Sequence, residues 1–361
     1  MSADAGEAIR LTVNWRFPIS FLPLPAISVQ SMPANLTAQY LKAEEQYRRA
    51  QSPDEQLHCL QLMLRELPKH KGTDKLQAEL KQKISKLKKE LAAPGKAGKR
   101  SSGVRLPRQG AGSVLLLGGV NSGKSQLLVT LTQARPEVAP YPFSTREPFP
   151  GMMPWEDVMV QLVDTPPVTM DYMESYMQGL IRSADLVLLL VDLGSDDGVE
   201  QCQDVLDKLA TTKTRLARQS SLDENDIGLS YTKTFLVPNK VDLPEAPERL
   251  ELLRELCPLE FPEFVISAQQ GTQLEPLRDA IYQSLDVVRV YSKLPHQKEP
   301  DYDRPFTVRR GDSLLEVAQQ IHKDYVQNFK FARVWGSQVH DGTIVKGDYL
   351  VNDRDVVELH Q

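Results

Sequence analysis

Residues 113–125 read SVLLLGGVNSGKS, a short apolar run that ends in a glycine-rich loop with lysine and serine at its close. The run predicts a buried strand and the residues after it a helix. Gly118, Gly123, Lys124 and Ser125 then stand at the positions of a P-loop. The chemistry explains the spacing. Glycines let the backbone curl so that its N–H groups point at a phosphate, Lys124 reaches β- and γ-phosphate oxygens, and Ser125 can hold Mg²⁺. The helix that follows aims its positive end at the anion. Asn121, Ser122 and Gln126 complete the predicted cofactor-binding stretch.

Working outward, residues 113–290 alternate apolar strand candidates with helical stretches. The strands are Ser113–Leu117, Val158–Val163, Asp185–Val191, Thr234–Val237 and Phe264–Ile266. This predicts an α/β fold, a mostly parallel sheet covered on both faces. NKVD at Asn239–Asp242 follows one strand and selects the purine. A carboxylate at Asp242 accepts from both guanine N1–H and N2–H₂, a donor pair that adenine lacks. Lys240 can lie along the base and Asn239 can brace the P-loop. Ser267–Ala268, after the next strand, can present a backbone N–H to guanine O6. An ATP-using kinase or synthetase is disfavoured by Asp242.

Two stretches between these motifs predict switch loops. YPFSTREPFPG, residues 141–151, offers Thr145 to Mg²⁺ and the γ-phosphate, with Ser144 as the competing hydroxyl. VDTPP, residues 163–167, ends a strand with Asp164, expected in the outer sphere of Mg²⁺. Lys124, Thr145 and Asp164 are the expected catalytic set, in a chemistry where positioning and charge stabilisation carry the rate.

Upstream, Thr37 is positioned to cap a helix through about Ala50, and Ser52-Pro53-Asp54-Glu55 forms a second helix start. Leu57, Leu60, Leu64 and Leu67 share one face of that helix. Thr73 is expected to cap a third, in which Leu76, Leu80, Ile84, Leu87 and Leu91 share a face opposite Lys81, Lys83, Lys86, Lys88 and Lys89. Residues 92–108, AAPGKAGKRSSGVRLPR, read as a linker. His70 is either part of a solvated basic loop or a phosphate contact. After residues 295–305 comes a unit with a strand at Phe306–Val308, a helix at Leu314–Tyr325 and short strands ending in DVVELH.

The wording and order of these motifs resemble the Obg/DRG branch of GTPases, most closely the developmentally regulated GTP-binding proteins. Three blocks carry the resemblance: the helical segment beginning PANLTAQYLKAEEQYRRAQSPDEQ, the P-loop through the switch with the later NKVD and SA, and the final unit RPFTVRRGDSLLEVAQQIHKDYVQNFKFARVWG. The last resembles a TGS domain, a ubiquitin-like β-grasp module. The resemblance implies a guanine-nucleotide switch that hydrolyses GTP to GDP with Mg²⁺. The pattern along the chain divides it into a leader at 1–31 (or a start at Met32), which the resemblance does not cover, a basic helical arm at 32–92, a linker at 93–111, a nucleotide domain at 112–292, a hinge at 293–304 and a TGS-like domain at 305–361.

Departures from the family pattern matter. The family motif is D-x-P-G; here Pro167 replaces the glycine whose N–H meets the γ-phosphate, and proline has no N–H. Val168 stands where Ras-like enzymes carry a catalytic glutamine. Slow hydrolysis follows as an expectation. A guanine-nucleotide-dependent binding protein with negligible hydrolysis, regulated by a partner protein, is the alternative. Asn121 occupies the position that contributes a K⁺ site in potassium-stimulated relatives; a purely loop-stabilising role is the competing reading.

Composition bounds the partners. The 361 residues carry 43 Lys and Arg against 48 Asp and Glu, a net −5 that hides an asymmetry: residues 42–100 hold 15 basic against 8 acidic residues, about +7, and the remainder about −12. The arm and the TGS-like unit are the expected contacts to a ribosome or structured RNA. With Arg309 and Arg310, the alternatives are RNA contact or decoration of an exposed turn. Three cysteines without CxxC spacing and no long uncharged apolar run make disulfide, zinc-ribbon and membrane-spanning classes poor fits, and a cytoplasmic setting is expected.

Overall fold

The computed structural model describes residues 37–50, 53–68, 73–92, 106–132, 147–223, 226 and 228–360. The leader, Met32, the Ser52 cap, His70, most of the linker, Ser144 and Thr145 lie outside the described residues.

Three helices come first: α1 (Ala38–Arg49), α2 (Pro53–Glu66) and α3 (Asp74–Ala92). Thr37 caps α1 as expected, its hydroxyl accepting from Tyr40 N–H at 3.1 Å. The predicted stripes meet in one small core of Tyr40, Tyr47, Leu60, Met63, Leu80 and Ile84.

The next unit runs β1 (Ser113–Gly118), α4 (Lys124–Leu131), β2 (Phe149–Trp155), β3 (Val158–Asp164), α5 (Met177–Ser183), β4 (Leu186–Asp192), α6 (Gly198–Ala210), β5 (Thr214–Ala217), β6 (Ser221–Leu222), β7 (Ser230–Asn239), α7 (Ala246–Leu256) and α8 (Leu274–Ser284). Its sheet order is β2-β3-β1-β4-β7-β5, with β6 on β7. All pairs are parallel except β2 with β3 and β6 with β7. Strict alternation divides its apolar residues. Val114, Leu116, Leu186, Leu188 and Leu190 face a core with α4 and α8, while Leu115, Leu117, Val187, Leu189 and Val191 face one with α5, α6 and α7. A strand covered on both faces has no polar side, which is why these runs are apolar throughout.

Two strand expectations change. β2, which the sequence reading assigned to a switch loop, carries Pro150 and Pro154 and lies at the sheet edge, where a missing N–H is tolerated. Phe264–Ile266 forms no regular strand; it is an extended segment, with Phe264 N–H donating to Leu236 O and Ile266 N–H to Pro238 O.

The last unit comprises β8 (Val287–Ser292), β9 (Asp301–Arg309), α9 (Leu314–Ile321), α10 (Lys323–Asn328), β10 (Phe331–Gly336), β11 (Val339–Val345) and β12 (Asp355–His360), in the order β11-β10-β12-β8-β9. β8 pairs in parallel with β12 and antiparallel with β9. It was expected inside the nucleotide domain, and β9 begins within the expected hinge. The boundary therefore falls at about residue 286, not 292. A strand's composition states that it is buried, not which sheet it joins, and VVRVYS suits either.

One arginine joins the two sheets. Arg289 of β8, 4% exposed, holds Asp353 through Nε (3.1 Å) and Nη2 (2.8 Å), and donates through Nη1 to Asp157 (2.8 Å) and Glu156 at the tip of the β2–β3 hairpin. Its guanidinium lies 5.4 Å from the Trp155 ring centre, and Trp155 itself stacks on Tyr282 at 3.6 Å. Burial works to raise the Asp157 and Asp353 carboxyls. At Asp157 hydrogen bonds from Tyr291 and Arg289, and at Asp353 those from Arg289, outweigh it and hold both below the usual range. Carboxyls depressed in the folded state stabilise it above the unfolded carboxyl value of about 3.9, and that contribution is lost as pH falls through the depressed values. Arg289→Ala leaves Asp157 and Asp353 without their cation, while Glu156 keeps Arg354 at 3.1 Å, and should cost about 3 kcal/mol. Urea unfolding checks this at neutral pH. At about pH 3 the gap between variant and wild type should narrow.

Candidate functional site

The P-loop joins β1 to α4, and its conformation depends on glycine at one point above all. Gly123 has φ +91°, and a Cβ there would lie 2.2 Å from Asn239 Nδ2. The close approach is occupied by a hydrogen bond: Asn239 Nδ2 donates to Ser122 O at 3.0 Å. Asn239 Oδ1 accepts from Lys240 N–H at 2.8 Å and from Ala268 N–H at 3.0 Å. One buried carboxamide thus ties together the phosphate loop, the NKVD turn and the SA turn, which the sequence separates by more than a hundred residues. Bracing by Asn239 was expected from the sequence. Its bond to the SA turn was not.

Lys124 is 7% exposed and curls back over the loop, donating to Gly119 O (2.7 Å), Gly118 O (3.2 Å) and Ser122 Oγ (3.3 Å). Burial pushes its ammonium down to about 8, with Asp164 opposing. Ser125 Oγ donates to Asp164 Oδ2 at 2.5 Å. The sequence-predicted Mg²⁺ residues on α4 and at the end of β3 therefore stand side by side. Oxygen donors at this separation fit a hard divalent cation, which would be held together with nucleotide phosphates. Gln126 is turned along α4 toward Thr130 at 3.3 Å. Asn121 has φ +58°, a left-handed conformation that asparagine tolerates better than most residues.

At the purine end, Lys240 Nζ pairs with Asp192 Oδ2 at 2.6 Å, and Asp192 Oδ1 accepts from Gly194 N–H at 2.7 Å. Asp192, at the end of β4, was missed by the sequence reading; the VD ending of an apolar strand was its only signal. Asp242, two residues beyond Lys240, is half-buried. The SA pair carries a further constraint. Its N–H groups are both engaged within the protein, Ser267 with Thr272 O at 3.2 Å and Ala268 with Asn239. A contact from either to guanine O6 would be a shared hydrogen bond.

Beyond Asp164 the chain is packed tightly against the loop. Thr165 Oγ1 donates to Leu116 O at 2.6 Å, and Val168 N–H donates to Gly118 O at 3.2 Å. The Val168 side chain is 1% exposed, in the core under β1 and β4. Among the described residues no group of three His, Cys, Asp or Glu side chains is placed to hold a metal by itself, and the three cysteines are free and buried.

Comparisons with known proteins agree with this geometry. Residues 113–221 match the family model described as 50S ribosome-binding GTPase, and residues 288–361 match the TGS domain. An uncharacterized GTP-binding protein of Methanocaldococcus jannaschii is 28% identical, covering 85% of this chain and 92% of its own. Developmentally-regulated G-protein 2 of Arabidopsis thaliana is 26% identical over 81% and 87% of the two chains. GTP-binding protein 1 of Schizosaccharomyces pombe is 24% identical over 84% and 98%.

The buried lysine has a measurable consequence. Nucleotide phosphates favour the charged ammonium, so binding above pH 8 requires uptake of a proton. GDP affinity should be flat from pH 7 to 8 and then fall, by up to about tenfold per pH unit. Fluorescent-nucleotide titrations from pH 7 to 9 check this. In Lys124→Met the break near pH 8 should vanish along with most of the affinity.

Proposed function

We infer that the chain is a P-loop GTPase with a C-terminal TGS domain, from the two family-model matches and its similarity over 81% of its residues to Developmentally-regulated G-protein 2 of Arabidopsis thaliana. From that premise we propose that it is a slow guanine-nucleotide switch acting on ribosomes or structured RNA. The observation that carries the nucleotide half of this reading is the Asn239 carboxamide, which makes phosphate loop and purine-reading turn one rigid unit. In this reading Gly118, Asn121, Ser122, Gly123, Lys124 and Ser125 cradle the phosphates, with Gln126 at the edge. Ser125, Thr145 and Asp164 serve Mg²⁺, and Asn239, Lys240, Asp242, Ser267 and Ala268 surround guanine.

Slow turnover is supported by the second switch motif. Pro167 has no N–H to give a γ-phosphate, and the next N–H, that of Val168, is spent on Gly118 O. Val168 is in the core and cannot orient water. In single-turnover assays Pro167→Gly should widen the difference between GTP and GDP affinities several-fold. Hydrolysis below detection in the wild type, with tight GTP binding, would favour the alternative of a nucleotide-dependent binding protein. The same assay in K⁺ and in Na⁺ tests Asn121. Equal rates would leave it the loop-stabilising role that its left-handed backbone already explains.

The RNA half rests on the arm, and the packing narrows where to look. Lys42, though exposed, pairs with Glu316 of the TGS domain and Arg49 with Asp185, so these cations of α1 already have carboxylate partners within the chain. Lys83 is half-buried, its ammonium pushed down to about 8 by burial, with Asp226 opposing. Lys81, Lys86 and Lys88 remain exposed on α3. Co-sedimentation with ribosomes over a salt series should show affinity falling with salt. Replacing these three lysines with glutamate should reduce the log–log slope by roughly 2. No association with either nucleotide at low salt would end the RNA reading.

A further inference from the structure

Where the arm, the nucleotide domain and the TGS domain meet, they form an open cleft of about 490 Å³. It is lined by residues from α1, from the head of β4, from β7, from the end of α8 and from β9. Its charge is unbalanced. Arg48, Arg49, Arg218, Lys233, Arg309 and Arg310 face three carboxylates, Glu45, Asp185 and Asp286.

The ion pairs show which cations are matched. Glu45 takes Arg49 at 2.9 Å and also Arg309; Asp185 takes Arg49 at 3.0 Å and Arg309 at 3.7 Å; Asp286 takes Arg310 at 3.0 Å. All three carboxylates are thereby used. Arg48, Arg218 and Lys233 have no ion-pair partner among the described residues. Lys233 Nζ donates to Ser284 O at 2.7 Å and Arg48 Nη1 to Arg182 O at 3.5 Å, both neutral acceptors. Arg48 is 7% exposed, so water does little to screen it. In addition, Arg49 Nε is buried without a hydrogen-bond partner. Glu45 and Asp185 act on Arg48 at longer range, but both are already paired with Arg49 and Arg309. Three cations without an ion pair, Arg48 buried, Lys233 half-buried and Arg218 exposed, leave the site a surplus of positive charge that an anion with several negative oxygens would neutralise.

We infer that this junction is a second anion site, distinct from the P-loop, for a multiply phosphorylated small molecule of nucleotide size. The volume lies within the range of small-ligand pockets, and Phe235, Pro262 and Leu285 give part of the wall an apolar character suited to a sugar or base. Because the lining comes from all three units, an occupant bridges them and holds the arm and the TGS domain against the nucleotide domain.

The test uses the full chain with its P-loop saturated by GDP and Mg²⁺. Adenosine 3′,5′-bisphosphate, which lacks the guanine donors read by Asp242, is titrated in by calorimetry. One saturable site is expected, together with a rise in melting temperature. Arg218→Glu and Lys233→Gln lie away from the P-loop. Each should weaken the bisphosphate at least tenfold and leave GDP affinity unchanged. Heats no larger than those of sulfate at equal ionic strength would overturn the proposal, as would affinities within twofold of wild type in both variants. A short single-stranded RNA that displaces the bisphosphate, binds more tightly and is weakened by the same two substitutions would overturn it too, assigning the cleft to an RNA backbone. Failure here leaves the GTPase reading untouched, since GDP binding is measured in the same samples.

Discussion

The side-chain amide of Asn239 is the interaction on which the nucleotide site depends. It is buried and uses both ends: Nδ2 to the P-loop, Oδ1 to the NKVD and SA turns. Because its donor reaches Ser122 O through the space above Gly123, the glycine is required by the asparagine as much as by the phosphate. The three loops are in turn the ends of β1, β7 and the extended segment after it. Their spacing is therefore set by sheet hydrogen bonds and transmitted by one carboxamide. An aspartate of the same shape would lose the donor to Ser122 O and bury a charge. An alanine would leave three backbone groups without their partner, each at about 1–3 kcal/mol.

This dependence explains how much of the site was legible in the sequence. The P-loop and NKVD are local: each places its residues by its own turn geometry, so Lys124 beside Ser125 and Asp242 beyond Lys240 could be read directly. The parallel sheet was legible for a different reason. Strands such as LVLLLVD have no polar face, and only coverage from both sides produces that. The SA turn follows the expected extended segment, but its N–H groups are claimed by Thr272 and Asn239, partners that no local pattern reveals.

What the sequence could not show are the joints between units. Asp185 gathers Arg49, Arg108 and Ser113 N–H from three parts of the chain, and Arg289 gathers three carboxylates from two. Neither stands in a motif, and each looks like an ordinary surface charge until the sheets are placed. The domain boundary was misplaced for the same reason. β8 follows α8 immediately, as a sixth parallel strand would, and only its pairing with β12 and β9 reveals that the chain has crossed to another sheet. The net −5 of the whole chain conceals these joints as well. Part of the arm's surplus of positive charge is neutralised inside the molecule, by Glu316 and Asp185, not by an external polyanion.

The β2–β3 hairpin links these joints to Asp164. Phe149 opens β2 opposite Asp164, the last residue of β3, and the hairpin ends at Glu156 and Asp157, which Arg289 holds. The ladder between is continuous, with seven paired residues on each strand, and its far end is stiffened by the Trp155–Tyr282 stack beneath the guanidinium. A paired hairpin does not stretch or shear without losing hydrogen bonds, so a displacement at the Asp164 end would either reach the TGS domain or be absorbed in this ladder. Arg289 favours the first outcome. It touches Asp353 and both hairpin carboxylates at once, and letting the hairpin tip go would leave their charges facing one another. Uncoupling the TGS domain from this hairpin would break the contacts at its tip: those of Arg289, that of Arg354 with Glu156 at 3.1 Å and that of Tyr291 with Asp157.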